Sequence, residues 1–183
     1  MGSRSRRLEP TTGVLLVGGA SRRFGSPKAL ARLGDETLAE RAYRTLREAF
    51  DAEPLVIGKA TDELALPFPV RDDGTELRAA IVGLAAALRL AVTDLVVVVP
   101  TDMPWLSAGL LRTLAQAASG HDVAVVQTGP LPGAYRRSAL PILERRIDAG
   151  ELALRGAVAE LRAAVVDGDP AELRNVNAPD DLR

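Results

Sequence analysis

The sequence contains no cysteine and a single histidine, His121. The first absence excludes disulfides, thiolate zinc sites and cysteine nucleophiles; the second excludes a histidine-rich metal cluster. A charge excess of one sign is also missing: 23 Lys and Arg stand against 24 Asp and Glu, for a formal net charge of -1. A whole-protein basic field for nucleic acid is thereby excluded, and only a local basic site is left open. No apolar run reaches the length of a membrane span. The longest, "AAIVGLAAAL" from Ala79 to Leu88, has the length of a core helix and is followed by Arg89. The N-terminal stretch is basic but lacks an apolar segment, so no secretory signal is expected and the cytoplasm is the expected location. Met1 to Pro10 read as a disordered lead-in.

What is present is an ordinary globular balance. Of the 183 residues, 47% are hydrophobic and 26% charged, which suits one domain over residues 11–183 with a sizeable core. Strand-like and helix-like segments alternate. Val14 to Val17 is a short apolar run ending in glycine, as a buried parallel strand does. Leu38 to Phe50 carries Leu38, Ala42, Tyr43, Leu46, Ala49 and Phe50 at helical spacing. Pro54 to Gly58 predicts a second strand, and Pro67 to Val70 a short third one weakened by its prolines. Thr75 to Ala91 predicts a mostly apolar, well covered helix. Asp94 to Pro100, with four consecutive valines, is the strongest strand. Ser107 is a helix N-cap for a segment through Ala118. Asp122 to Gln127 predicts a strand, Gly129 to Gly133 ("GPLPG") a rigid turn-rich loop, Ser138 to Ala149 and Leu154 to Leu161 helices, and Ala163 to Val166 a strand. Pro179 opens a terminal helical turn. The alternation argues for a doubly wound α/β sheet, whose ligands bind at the carboxyl ends of the strands.

The first strand runs into "GGASRRFGSPK". Gly18-Gly19 lets backbone amides approach a ligand closely, and Arg22, Arg23 and Lys28 add positive charge. The loop matches neither G-x-G-x-x-G, because Ala20 stands at the second glycine, nor a Walker A sequence. Charge and glycine alone leave two readings: a phosphate loop of another kind, or a surface loop with solvated charges. Asp102 follows the strongest strand and stands where a carboxylate can hold magnesium beside substrate phosphates; it can equally be a turn aspartate. Asp72 and Asp73 also fall at that edge, but "RDDGT" is turn-like and favours a structural role. His121 lies at the opposite end of the sheet and reads as a surface histidine. Trp105 is either core or a pocket wall. No nucleophile–histidine pair is evident. Phosphoryl or nucleotidyl transfer needs none when the attacking group is already an anion.

Four stretches carry a family resemblance in chain order. "LLVGGASRRFGSPKAL" resembles the L-A-G-G-x-S-x-R-M-G-x-x-K signature of the molybdenum cofactor guanylyltransferase family of the nucleotidyltransferase superfamily. "VPTDMPWLS" resembles its strand and Asp-x-Pro motif. "PLPGAYRRSALPILERRIDAGE" resembles its H-P-x-x-x-x-Y-R segment, and "NVNAPDDL" its closing N-V-N-T-P-E-D-L. All four lie in order between Gly13 and Leu182. The resemblance implies a Rossmann-like, mostly parallel sheet with helices on both faces, of the nucleotide-diphospho-sugar transferase type. It implies Mg²⁺-dependent transfer of GMP from GTP to the terminal phosphate of molybdopterin or its molybdenum form, with transient contact to cofactor-receiving enzymes. Residue by residue, Leu16, Val17, Gly18 and Gly19 would contact the nucleotide, with Arg23 and Lys28 on the triphosphate. Asp72 would help bind the nucleotide, Asp102 would ligate the metal, and Asn175 and Asn177 would lie near the metal and pterin side. Gly18-Gly19 and Asn-Val-Asn match the guanylyl rather than the cytidylyl branch. The chain departs from the pattern at Val17, Phe24 and Pro27. It departs further at "LRAAIVGL" (Leu77 to Leu84) in place of G-P-L-A-G, a change that bears on base recognition. Leu131-Pro132 lacks the usual histidine, a change on the pterin side. The competing readings are transfer of another base or to another acceptor, and a non-catalytic nucleotide-binding cofactor carrier.

Overall fold

A computed structural model describes residues 8–18 and 27–182. Its chain order is β1 (Thr11–Leu16), β2 (Arg32–Leu33), β3 (Glu36–Thr37), α1 (Leu38–Phe50), β4 (Leu55–Gly58) and β5 (Arg71–Asp72). Then follow α2 (Ala80–Leu90), β6 (Leu95–Pro100), α3 (Ala108–Ala117), β7 (Val123–Val126), β8 (Gly129–Arg136), α4 (Leu140–Asp148), α5 (Leu154–Ala159) and β9 (Ala163–Val166). Seven strands form one sheet in the order β5-β4-β1-β6-β8-β7-β9, and β2 and β3 form a small hairpin. All pairings in the large sheet are parallel except those of β8. This is the doubly wound α/β sheet that the alternation of segments predicts.

The pleat explains why the central strands are continuously apolar. Along β1 and β6, Leu15, Leu95, Val97 and Val99 enter one core, packed with Leu46 of α1 and Leu111 and Leu114 of α3. Val14, Leu16, Val96 and Val98 enter the other, under α2, Leu143 of α4 and Leu154 and Ala157 of α5. Successive side chains point to opposite faces, so a strand covered on both sides needs no polar alternation. Helix α2 is buried from Ile81 to Leu88, in keeping with its apolar sequence. Among the described residues no helix is long and apolar enough to cross a membrane.

Local chemistry sets several boundaries. Helix α1 begins where Thr37 and Glu40 form a reciprocal capping box and ends at Asp51 in the left-handed region. Ser107 caps α3 by accepting from the Leu110 amide, as its sequence position predicts. The apolar run from Thr75 is helical only from Ala80. Before that, Asp73 accepts from the Thr75 amide and Thr75 Oγ1 from the Leu77 amide, holding the segment as a loop. The third strand forms at Arg71–Asp72 rather than at Pro67 to Val70, because Pro67 and Pro69 have no N–H for a ladder. Glycine 129 to Gly133 is not a free loop. It is the start of β8, threaded antiparallel between β6 and β7. Its prolines are tolerated because the β7 register shifts from Val126↔Gly129 to Val125↔Gly133, leaving Pro130, Leu131 and Pro132 in a bulge. A Cβ at Gly133 would lie 2.7 Å from both the Pro130 carbonyl oxygen and the Tyr135 ring, so only glycine fits. Tyr135 is fully buried and its hydroxyl donates to Pro130 O at 2.6 Å; burial pushes its pKa well up.

The lead-in expected over Met1 to Pro10 falls outside the described residues up to residue 7. From there Leu8 packs against the core and Glu9 pairs with Arg136 at 2.6 Å.

Candidate active site

Two groups of side chains gather at the carboxyl ends of the parallel strands. The first surrounds a cavity of about 260 Å³ between β1, β4 and the start of α2. Leu16, Gly18, Ile57 and Gly58 form its floor, Ala79, Ala80 and Gly83 one wall, and Lys59, Asp73 and Arg78 its polar side. Glycine at 83 allows α2 to approach β1, since a Cβ there would lie 3.0 Å from Leu16 Cδ2. The Lys59 ammonium donates to Asp73 Oδ1 at 2.6 Å and also to the Thr75 carbonyl oxygen. Both side chains are buried, at 7% and 6% exposure, so each charge relies on the other and on the surrounding backbone. Arg78 is held by a bidentate pair with Asp62, at 3.1 and 2.6 Å. An apolar cleft with a few convergent polar groups has the character of a small-ligand site.

Asp72 and Asp73 divide the work at this edge. The Asp72 carboxylate accepts from the Ala60 amide at 2.6 Å and the Gly74 amide at 2.7 Å, and these bonds hold its pKa below the usual range. It clasps two loops and does not line the cavity. Its neighbour Asp73 does. The resemblance points to Asp72; the geometry brings Asp73 to the cavity.

The second group is built around Asp102, just past the end of β6. Lys28 opens a short 3₁₀ turn, Lys28–Leu30, and its ammonium lies 3.7 Å from Asp102 Oδ2. The same ammonium donates to the Val176 carbonyl oxygen at 2.8 Å, and the Val176 amide donates to the Asp102 carbonyl oxygen at 2.7 Å. Val176 is fully buried, while the flanking Asn175 and Asn177 are exposed. The Asp181 carboxylate caps the following turn, Pro179–Leu182, by accepting from the Asn177 and Ala178 amides at 2.7 and 2.9 Å. Those bonds lower the Asp181 pKa. Lys28, Asp102 and the Asn-Val-Asn segment, predicted separately, thus converge. Leu16 and Gly18 reach the cavity, and Val17 donates its amide to Ile57 O at 2.9 Å beside it. Gly19 and Arg23 lie outside the described residues. His121 precedes β7 and so sits at the opposite edge of the sheet.

Sequence reasoning missed Lys59, Arg78 and Arg174. The guanidinium carbon of Arg174 lies 3.7 Å from the centre of the Trp105 ring, three residues after Asp102. Lys59 carried one usable signal, its position directly after a strand. Among the described residues no three His, Cys, Asp or Glu side chains cluster as a metal cage.

The family model described as "MobA-like NTP transferase domain" matches residues 13–165. The chain belongs to this family. The matched stretch spans Lys28, the cavity and Asp102, and the Asn175–Asn177 segment joins them from beyond it. Family membership makes the protein a nucleotidyltransferase. A probable molybdenum cofactor guanylyltransferase of Opitutus terrae is 36% identical over 193 residues, covering 97% of this chain and 95% of that protein. A molybdenum cofactor guanylyltransferase of Desulfosudis oleivorans is 27% identical over 189 residues, covering 96% and 94%. The crystal structure of molybdopterin-guanine dinucleotide biosynthesis protein A from Archaeoglobus fulgidus superposes with a TM-score of 0.78. It is 24% identical and covers 93% of this chain and 94% of that one, a likeness of fold.

Proposed function

We propose that this family member transfers GMP from GTP to the terminal phosphate of molybdopterin, or of its molybdenum form, and releases pyrophosphate. The observation that carries the reading is the meeting of Lys28, Asp102 and the Asn175–Asn177 segment at the same sheet edge as the Leu16–Gly18 cavity. An oxygen of the acceptor's terminal phosphate attacks the α-phosphorus of GTP. The bond from that phosphorus to the bridging oxygen breaks, and pyrophosphate leaves with the electron pair. The attacking oxygen is already anionic, so the absence of a histidine base is consistent with the chemistry.

In this reading the cavity takes the guanine. The carboxylate of Asp73 can accept from guanine N1–H and N2–H, and an ammonium such as that of Lys59 can donate to O6. Lys28 neutralises the triphosphate as charge moves to the leaving group, and Gly18-Gly19 offers backbone amides. Arg23 is assigned to the triphosphate on the motif alone. Asn175 and Asn177 face the acceptor side.

The residues fit a magnesium ion held by Asp102. That ion takes one or two carboxylates and fills its remaining positions with water and substrate phosphates, so a lone half-exposed carboxylate suits it better than a closed cage. When bound, it would neutralise phosphate oxygens. The reaction is assigned to the cytoplasm, with hand-over of the product to a receiving enzyme. The test is pyrophosphate release with GTP and molybdopterin, each omitted in turn, and with CTP or ATP replacing GTP. Release only with both substrates and GTP supports the reading. Equal or greater kcat/KM with CTP contradicts it.

A further inference from the structure

The C-terminal segment carries a second link to the Asp102 loop that the transfer chemistry does not use. Leu173 is buried in the core and Asp181 caps the turn beyond Asn177, so the span between is fixed at both ends. Within it, exposed Arg174 stacks its guanidinium on Trp105, and buried Val176 bonds to Asp102. Loop and segment are therefore joined at two rungs. The loop itself is secured from the other side, where Arg41 Nε donates to the Pro104 carbonyl oxygen at 2.8 Å. The loop is thus the fixed platform and the segment is the part the stacking restrains. Val176 is also where the Lys28 ammonium is anchored.

We propose that Arg174 and Trp105 form a latch that positions Lys28 and Asp102 by holding Val176 against the loop. Both are positioning residues. The effect on turnover rests on the proposed roles of Lys28 and Asp102; the effect on Val176 does not. A guanidinium over an indole face is a favourable cation–π contact, and Trp is the best ring for it. The rival role for Arg174 is direct attraction of an anionic substrate, which would not need Trp105.

The test is amide exchange at Val176 in the full chain without nucleotide, in wild type and in Arg174→Met, Arg174→Lys, Trp105→Leu and the Arg174→Met/Trp105→Leu double variant. Exchange at Val97 in the sheet centre serves as the folding control. Arg174→Met should speed exchange at Val176 about two- to fivefold, the range a surface cation–π contact corresponds to, with Val97 unaffected. Arg174→Lys should restore part of the protection, and the double variant should exchange no faster than the worse single one. In pyrophosphate release Arg174→Met and Trp105→Leu should each lower kcat by about two- to fivefold with KM for GTP nearly unchanged, because misplacement acts on the reacting geometry and is bounded by the contact that is lost. Unchanged exchange at Val176 in Arg174→Met overturns the latch. So does a loss of turnover in Arg174→Met that Trp105→Leu does not share. A wild-type protein that does not turn over GTP overturns the proposed function, while exchange at Val176 still decides the latch.

Discussion

Lys28 and Val176 stand 148 positions apart, and the Lys28 ammonium donates a 2.8 Å hydrogen bond to the Val176 carbonyl oxygen. One contact ties the first motif of the chain to the last, and Asp102 completes it from the middle through the Val176 amide. The sheet makes this possible. The chain leaves β1 and β6, paired from Thr11↔Leu95 to Leu16↔Pro100, at the same edge.

Replacing Lys28 by Ala removes the charge from that edge. Transfer should slow by roughly a hundredfold, the scale for loss of one preorganised stabiliser. The variant should stay folded with a lowered melting temperature, since the side chain is 18% exposed and its bond to the Val176 carbonyl oxygen is lost. Initial-rate measurement of pyrophosphate release checks this, and near-normal activity contradicts the role.

Lys59 and Asp73 make the buried pair of the cavity. Lys59→Met leaves the Asp73 carboxylate uncompensated and should cost about 3–5 kcal/mol in urea unfolding, whereas Lys59→Met/Asp73→Leu should recover much of it. A single-variant loss no larger than that of the double variant contradicts the pairing.

The sequence made α1 and α3 legible because their signals are local: apolar residues at helical spacing over Leu38–Phe50, and Ser107 as the cap of the Leu110 amide. It misled at β8, where Gly, Pro, Leu, Pro, Gly is turn composition by every local rule. The chain is held in the sheet there by β6 and β7, and the register shift that admits Pro132 is a tertiary fact. The site divides in the same way. Lys28, Asp102, Asn175 and Asn177 were readable as motifs in order, and the fold joins them through Val176. Asp73 was placed at that edge only as a turn residue and Lys59 not at all, because their meeting depends on Gly58 pairing with Asp72 across β4 and β5. The choice between Asp72 and Asp73 turns on which carboxylate the backbone amides of Ala60 and Gly74 occupy.

Asp122 supplies a pH prediction away from the site. Arg162 bonds to its carboxylate, with help from Ser138, and lowers its pKa from 3.8 to about 2. The folded value lies below the unfolded one, so the stabilisation is complete above about pH 4 and is lost as the pH falls from there through about 2. Unfolding free energy measured across pH 2 to 5 should fall less steeply in Asp122→Asn than in wild type. Identical slopes contradict the assignment.

The most direct measurement concerns Asp102. Asp102→Asn keeps the shape and one carbonyl oxygen but removes the charge beside Lys28. Mg²⁺ titrations of the initial rate, in wild type and variant, with melting curves as the folding control, test whether this carboxylate holds the metal at the triphosphate. The account predicts a folded variant with most turnover abolished and its Mg²⁺ dependence weakened. An Asp102→Asn enzyme with unchanged rate and unchanged Mg²⁺ midpoint would contradict it.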